Sequence, residues 1–308
     1  FACGSRPFVP PMSGLEKVTA KTSFMTLDDA HALDSMIGRK SNVLIIGAGL
    51  IGLKCAEGIA DKAGHITVVD LAPRVLPNVL DEHAASMVKD YLKEQKDIDV
   101  ILGDCADKFS ENEVLLKSGK KLTFDVLVLA VGVRPNTEIF KDMGGEVSKG
   151  IIIDECCATS IDGVFAGGDC CEGTDVSTGT RRIMAILPNA YMQGRTAGIN
   201  MAGGNDICRP MIPENAAGFF GMHIITAGSY DGDGTVIEDA PGIYKKLFTK
   251  DDRLIGYILV GDVQRAGIYT EMIRSGTPLS EVDFELVSKK PQMLAFSRPR
   301  RDEIFRRG

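Results

Sequence analysis

The sequence predicts an α/β protein organised around a Rossmann-like dinucleotide-binding domain. Three observations carry that prediction. A continuous apolar run, Val43-Leu44-Ile45-Ile46, opens directly into Gly47-Ala48-Gly49-Leu50-Ile51-Gly52, a G-x-G-x-x-G. A second apolar run closes on an acid, Asp70, about 20 residues further on. Helical periodicity alternates with these runs, as a parallel sheet with crossover helices requires. At 308 residues the chain has room for two or three domains rather than one.

The elements follow in order. Pro7, Pro10 and Pro11 forbid a helix at the start, and Thr26 is placed to cap a helix opening Leu27-Asp28-Asp29. Val43–Ile46 reads as a strand buried on both faces, followed by a helix through Ala60 and a second strand, His65–Val69. A helix over 81–95 places Ala84, Val88, Tyr91 and Leu92 on one face. A β meander over 100–122 and a buried strand over 126–131 complete the sheet. Beyond Pro135, Gly163-Val164-Phe165-Ala166-Gly167-Gly168-Asp169 reads as a buried strand ending in a glycine pair and an acid, and a helix runs from Pro188 to Met201. The last hundred residues read as strands over 217–229, 243–249 and 254–260 and a helix over 263–274, an α+β domain with an antiparallel sheet. Asp231-Gly232-Asp233-Gly234 lacks the glutamate of a calcium loop, since Gly242 stands there, and reads as a hairpin turn. The expected divisions are 1–32, 33–134, 135–208 and 209–308.

Composition narrows the function classes. The formal net charge of −7 argues against nucleic acid or an acidic membrane as the partner. The longest apolar run is interrupted by glycines and falls far short of the roughly 20 residues a spanning helix needs. The eight cysteines include two adjacent pairs, Cys156-Cys157 and Cys170-Cys171, and no C-x-x-C, and the four histidines show no ligand spacing. No metal site is expected, and the thiols read as small buried groups in a reducing cytoplasm.

The glycine turn has a specific chemistry. Gly47 permits the tight turn, Gly49 lets the backbone approach a pyrophosphate, and Gly52 lets helix and sheet pack closely. The N–H groups of Leu50 and Ile51 then face the phosphates at the positive end of the helix. Asp70 is placed to accept from the adenosine ribose hydroxyls, which favours NAD(H) over NADP(H); Arg74 nearby works against that preference.

Four segments together resemble the FAD-dependent pyridine nucleotide–disulfide oxidoreductases. Ala2-Cys3-Gly4-Ser5-Arg6-Pro7 is similar to the family's A-T-G-x-x-P crossover, and 47–57 to its NAD fingerprint. Val131-Gly132-Val133-Arg134-Pro135-Asn136 resembles the segment that closes the NAD domain. Val164-Phe165-Ala166-Gly167-Gly168-Asp169 resembles the second FAD motif. The resemblance implies Gly132 as a further NAD contact and Cys3, Gly4, Gly168 and Asp169 as FAD contacts. It implies hydride transfer from NADH to FAD, then electrons to a protein, oxygen or disulfide acceptor. Ile243–Leu247 and Leu259–Asp262 look more like the branch of NADH oxidases, rubredoxin reductases and nitrite-reductase flavoproteins. The 209–308 segment is then expected as an interface domain able to pair two copies.

The family's own FAD fingerprint would precede Phe1. The expectation is therefore an N-terminally truncated oxidoreductase that binds FAD weakly or not at all and is inactive alone. The alternative is an NAD(H)-binding module without catalysis. Cys170-Cys171 follows the flavin-side acid, but adjacent cysteines close only a strained ring, so packing is the expected role. Arg298, Arg300, Arg301, Arg306 and Arg307 form a basic tail, read as solvated or as a dock for an acidic electron carrier. Lys54 stands where most members carry a glutamate facing the nicotinamide. It is either a surface lysine or a charge that favours neutral NADH over cationic NAD⁺.

Overall fold

Parallel pairing of buried strands organises the first half of the chain in the computed structural model, which describes residues 1–297, 299 and 301. The chain divides into two units, 6–134 with 218–221, and 1–5 with 135–217 and 222–308.

In the first unit, β1 (Ser5–Pro7) precedes β2 (Lys21–Ser23), α1 (Leu27–Met36), β3 (Asn42–Ile46), α2 (Leu50–Ile59), β4 (His65–Asp70), α3 (Glu82–Lys96) and β5 (Asp99–Leu102). An antiparallel meander, β6 (Ala106–Phe109), β7 (Glu113–Leu116) and β8 (Lys121–Thr123), leads to β9 (Val126–Leu129) and β10 (Val133–Pro135). The five-stranded sheet runs β2-β9-β3-β4-β5, parallel throughout. Its centre is dry: Leu44, Ile45, Val68, Leu127 and Val128 are at most 1% exposed. The chain leaves β3 towards β4 on one side and returns as β9 on the other, so a topological switch point lies beyond the carboxyl ends of β3 and β9. Thr26 caps α1 as expected, in a reciprocal capping box with Asp29.

The second unit contains α4 (Glu138–Asp142), β11 (Ile151–Ile152), β12 (Cys171–Asp175), β13 (Thr180–Arg182) and α5 (Leu187–Met201). It continues through β14 (Glu214–Phe219), β15 (Met222–Gly228), β16 (Asp233–Ala240), β17 (Ile243–Lys250), β18 (Arg253–Val260), α6 (Ala266–Ser275) and α7 (Phe284–Lys289). The sheet of β14–β18 is ordered β14-β15-β18-β17-β16. The Tyr269 hydroxyl, fully buried behind β18, donates to the carbonyls of Val287 and Ser288 at 2.8 Å and fixes α6 against α7.

Several expectations shift. The 1–32 segment is not a separate linker piece, because β2 pairs with β9 in the parallel sheet and the division falls after Ser5. Residues 99–102 leave the expected meander and join the parallel sheet as β5. The 163–169 stretch forms no regular strand: it makes a single bridge, Ala158 to Phe165, and its backbone bonds are shared among several partners, Phe1, Cys157, Thr159 and the Gln193 side chain among them. The strand is instead β12, paired parallel with β11. The 217–229 run breaks into two strands at Phe220 and Gly221, both at positive φ (50° and 96°). Residues 231–232 are no hairpin turn. They carry the chain from β15 to the far edge strand, β16. Four of the tail arginines, 298, 300, 306 and 307, lie outside the described residues. Among the described residues no helix is long and apolar enough to cross a membrane.

The 218–221 turn groups with the first unit because α2 and α3 hold it. Glu57 accepts from the Phe220 N–H at 2.6 Å, and the Tyr91 hydroxyl donates to the Phe220 carbonyl at 2.9 Å. Burial acts to raise the Glu57 carboxyl, but the Lys54 ammonium and the Phe220 N–H outweigh it and hold it below the ordinary carboxylate range. A carboxyl depressed in the folded state contributes stability above its unfolded pKa of about 4.3, and loses it as pH falls through the lower folded value. Glu57→Gln should therefore melt a few degrees below the parent near pH 6, and the gap should close as pH falls from about 4 towards 3. Paired thermal melts across that range check it.

Candidate functional site

The fingerprint turn sits at the switch point, and its geometry explains each glycine. Gly47 has φ +114°, and a Cβ there would lie 2.3 Å from the Ala130 carbonyl oxygen, so only glycine lets the turn after β3 pass the end of β9. A Cβ on Gly52 would lie 1.9 Å from the Gly47 carbonyl oxygen, which is the close helix–turn approach. Gly49 differs: a Cβ built on it meets nothing within 4 Å. It is the N-cap of α2 at φ −80°, and no side chain caps the helix. The first N–H groups of α2, including those of Leu50 and Ile51, therefore lack side-chain acceptors beside open space. That is the arrangement an anion occupies. Gly132, at φ +112°, follows β9 with open space at its Cβ position as well.

Asp70 ends β4 and is already engaged. One carboxylate oxygen accepts from the Ala48 N–H at 2.6 Å and the other from the Ala72 N–H at 2.7 Å. It ties the fingerprint turn to the second strand, and each oxygen retains a further lone pair. Arg74 is placed differently from the expectation of a phosphate-facing group. Its Nε donates to the Leu80 carbonyl at 3.2 Å and an Nη to the Pro77 carbonyl at 3.1 Å, bracing the turn in which Leu76 adopts φ +48°.

Lys54 is half-exposed and partnered. Its ammonium pairs with Glu57 one turn on, donates to the Gly218 carbonyl at 3.0 Å and lies 5.8 Å from the centre of the Phe219 ring. A neighbouring carboxylate compensates its charge, so the ammonium acts outward as one end of an ion pair rather than as a lone cation.

The residues expected from the sequence to contact FAD all lie in the second unit. The Gly168 N–H donates to Gln193 Oε1 at 2.7 Å, and Gly168 itself has φ +85°. Asn136 fixes the start of the chain: its backbone N–H donates to the Gly4 carbonyl at 3.0 Å and its side-chain amide to the Cys3 carbonyl at 2.8 Å. Gly4, Gly168, Asp169, Ala190, Gly194 and Gly198 border a cavity of about 420 Å³. A Cβ at Gly194 or Gly198 would meet nothing within 4 Å, so α5 presents a bare backbone face to that space. A flat, extended cofactor fits such a wall. Gln193, which orients the Gly168 turn, was not singled out from the sequence. A buried glutamine on a helix following a Gly-Gly-Asp turn is the signal that points to it. Among the described residues no group of three or more His, Cys, Asp or Glu is arranged to hold a metal.

Comparison with known proteins agrees with this geometry. Residues 1–194 match the family model for pyridine nucleotide-disulphide oxidoreductases, and residues 213–277 match the C-terminal domain of rubredoxin NAD⁺ reductases. The chain is 28% identical over 300 residues to the epsilon subunit of an NADH-dependent phenylglyoxylate dehydrogenase from Aromatoleum evansii, covering 94% of this chain and 70% of that one. It is 35% identical over 209 residues to an NADH oxidase from Methanocaldococcus jannaschii, covering 66% of this chain and 46% of that one. An NAD-dependent persulfide reductase from A. fulgidus superposes with a TM-score of 0.83 at 26% identity, over 97% of this chain and 59% of its own. This chain thus spans under half the length of the NADH oxidase. The match over residues 1–194 identifies the chain as a member of the pyridine nucleotide-disulphide oxidoreductase family, whose members are FAD- and NAD(P)-dependent oxidoreductases.

Proposed function

We propose that this chain is the NADH-binding and electron-transfer part of a flavoprotein oxidoreductase. The observation that carries the reading is the open space at Gly49 beside the uncapped N-terminus of α2, at the switch point of a parallel sheet. The pyrophosphate of NADH rests on the N–H groups of Leu50 and Ile51, and Gly132 leaves room for the dinucleotide along the end of β9. Asp70 keeps the turn in shape and offers its remaining lone pairs to the ribose hydroxyls. When bound, FAD supplies the two-electron acceptor for the hydride and the passage to one-electron chemistry. Gly4, Gly168 and Asp169 border the cavity it would take, and Cys3 adjoins Gly4 in the chain. The acceptor fits the class of small electron-carrier proteins, and the last sheet is the surface on which two copies pair.

Four outcomes are expected. Gly49→Val fills the phosphate space at a permitted φ without touching a neighbour, so NADH affinity falls by about 100-fold or more while the melting temperature holds. The same calorimetry on the parent gives at least about tenfold weaker NADPH binding, because a 2′-phosphate meets the Asp70 carboxylate; equal affinities overturn the NADH assignment.

Removing the ion pair as a whole, Lys54→Gln with Glu57→Gln, leaves the NADH/NAD⁺ affinity ratio within about twofold, since the pair carries no net charge. A several-fold collapse of the ratio would instead make Lys54 a redox-biasing group.

These 308 residues alone hold FAD substoichiometrically after purification, so their NADH-driven reduction of an artificial acceptor is negligible without added flavin. Absorbance near 450 nm measured against protein concentration reads this directly, and a full complement of flavin refutes it.

A further inference from the structure

Ala48, the residue between the first two fingerprint glycines, is fully buried, and the segment that ends and follows β4 holds both of its backbone groups. Its N–H donates to the Asp70 carboxylate at 2.6 Å, and its carbonyl accepts from the Leu76 N–H at 2.9 Å. The second bond fixes more than Ala48. A trans peptide is planar, so the Ala48 carbonyl and the Gly49 N–H point in opposite directions across one plane. Holding the carbonyl on Leu76 therefore turns the Gly49 N–H the other way. That N–H meets no acceptor among the described residues, and Gly49 lies beside open space.

Leu76 makes its bond from an unfavourable conformation. It has φ +48°, in the left-handed region that a branched side chain seldom adopts, and it precedes Pro77, which pushes the residue before it towards extended backbone. Its surroundings keep it there. The side chain is buried, and the carbonyl accepts from the N–H groups of Val79 and Leu80, each at 2.9 Å. Arg74 closes the loop from the other end. Its Nε and Nη2 reach the carbonyls of Leu80 and Pro77, so one planar guanidinium ties together the residues on either side of Leu76.

We propose that Arg74 and Leu76 are positioning residues for the pyrophosphate of the dinucleotide, an inference that rests on the NADH-binding reading above. Arg74 holds Leu76 in its left-handed turn, and Leu76 holds the Ala48 carbonyl. The Gly49 N–H is thereby aimed at the phosphates beside those of Leu50 and Ile51. Neither Arg74 nor Leu76 touches the cofactor. Without the brace Leu76 relaxes towards negative φ, its N–H leaves the Ala48 carbonyl, and the 48–49 peptide turns freely, as a peptide beside a glycine can. The guanidinium is engaged by backbone carbonyls and reads no 2′-phosphate, so it serves NADH and NADPH alike.

The test uses the full chain labelled with ¹⁵N-glycine, ADP-ribose as the phosphate-bearing probe, and calorimetry with NADH and NADPH. Loss of one resonance in Gly49→Ala assigns the Gly49 amide. In the parent that amide proton should move downfield on ADP-ribose binding, as it bonds a phosphate oxygen. Arg74→Met keeps the aliphatic stem and removes both donors. Its affinities for NADH and NADPH should each fall by about tenfold, and the downfield shift of Gly49 should be lost. Arg74→Lys, whose ammonium still reaches one carbonyl, should recover part of both. A parent that binds ADP-ribose while the Gly49 amide stays in place overturns the proposal and leaves the NADH reading standing. So does an Arg74→Met that loses affinity for NADPH alone, or one that melts earlier yet binds NADH as the parent does. A parent that binds neither NADH nor ADP-ribose overturns the reading and the proposal together.

Discussion

The carboxylate of Asp70 is the fixed point of the dinucleotide unit. Its two oxygens take the N–H groups of Ala48 and Ala72, so the acid that ends β4 also closes the turn that leaves β3. Without a charged acceptor there, the buried N–H of Ala48 would cost about 1–3 kcal/mol, and the turn would lose its register against α2. The glycines then follow. Gly47 and Gly52 are small because backbone or turn atoms occupy the places their side chains would take, and Gly49 is small because nothing does. One motif therefore contains two kinds of glycine. Only the second kind leaves room for a ligand.

Much of this was legible in the sequence. The run 43–46 could be read as a strand because four β-favouring apolar residues without alternation end at a Gly-x-Gly turn, as a doubly buried parallel strand does, and Thr26 with Asp29 announced the start of α1. The role of Asp70 was half legible. Its distance from Gly47 marked it as the acid of the unit, but its bonds to the two backbone amides depend on the twist that brings β3 and β4 together. The second task of Arg74 was not legible: its charge near a fingerprint suggests a phosphate, and its bonds to the carbonyls of Pro77 and Leu80 depend on how the following turn folds back. The strand expected over 163–169 had the composition of one but found its partner groups scattered over Phe1, Cys157, Thr159 and Gln193 instead of along one neighbouring strand.

Lys54 shows how a charge read singly in sequence becomes a pair in structure. At about 6 Å and an effective dielectric near 20, a lone ammonium would act on a nicotinamide cation with roughly 3 kcal/mol. A carboxylate one helical turn away converts that field to a dipole's, which falls off faster and is screened further by solvent. The residue then serves the packing of 218–221 on α2, a task written in the spacing of Lys54 and Glu57 but invisible without the turn they hold.

The two glycine turns of the chain differ in what becomes of the N–H groups they free. At Gly47–Gly49 a turn at positive φ leaves the first N–H groups of α2 beside open space, where negative charge can rest. At Gly168, also at positive φ, the N–H is already taken by the Gln193 amide oxygen from α5. The difference lies in what the opposite wall supplies. The first turn faces open space at the carboxyl end of the sheet, and the second is met by a buried polar side chain. A turn that faces open space leaves its N–H groups to a ligand, whereas a turn met by a side chain is held in shape and offers a ligand the space beside it.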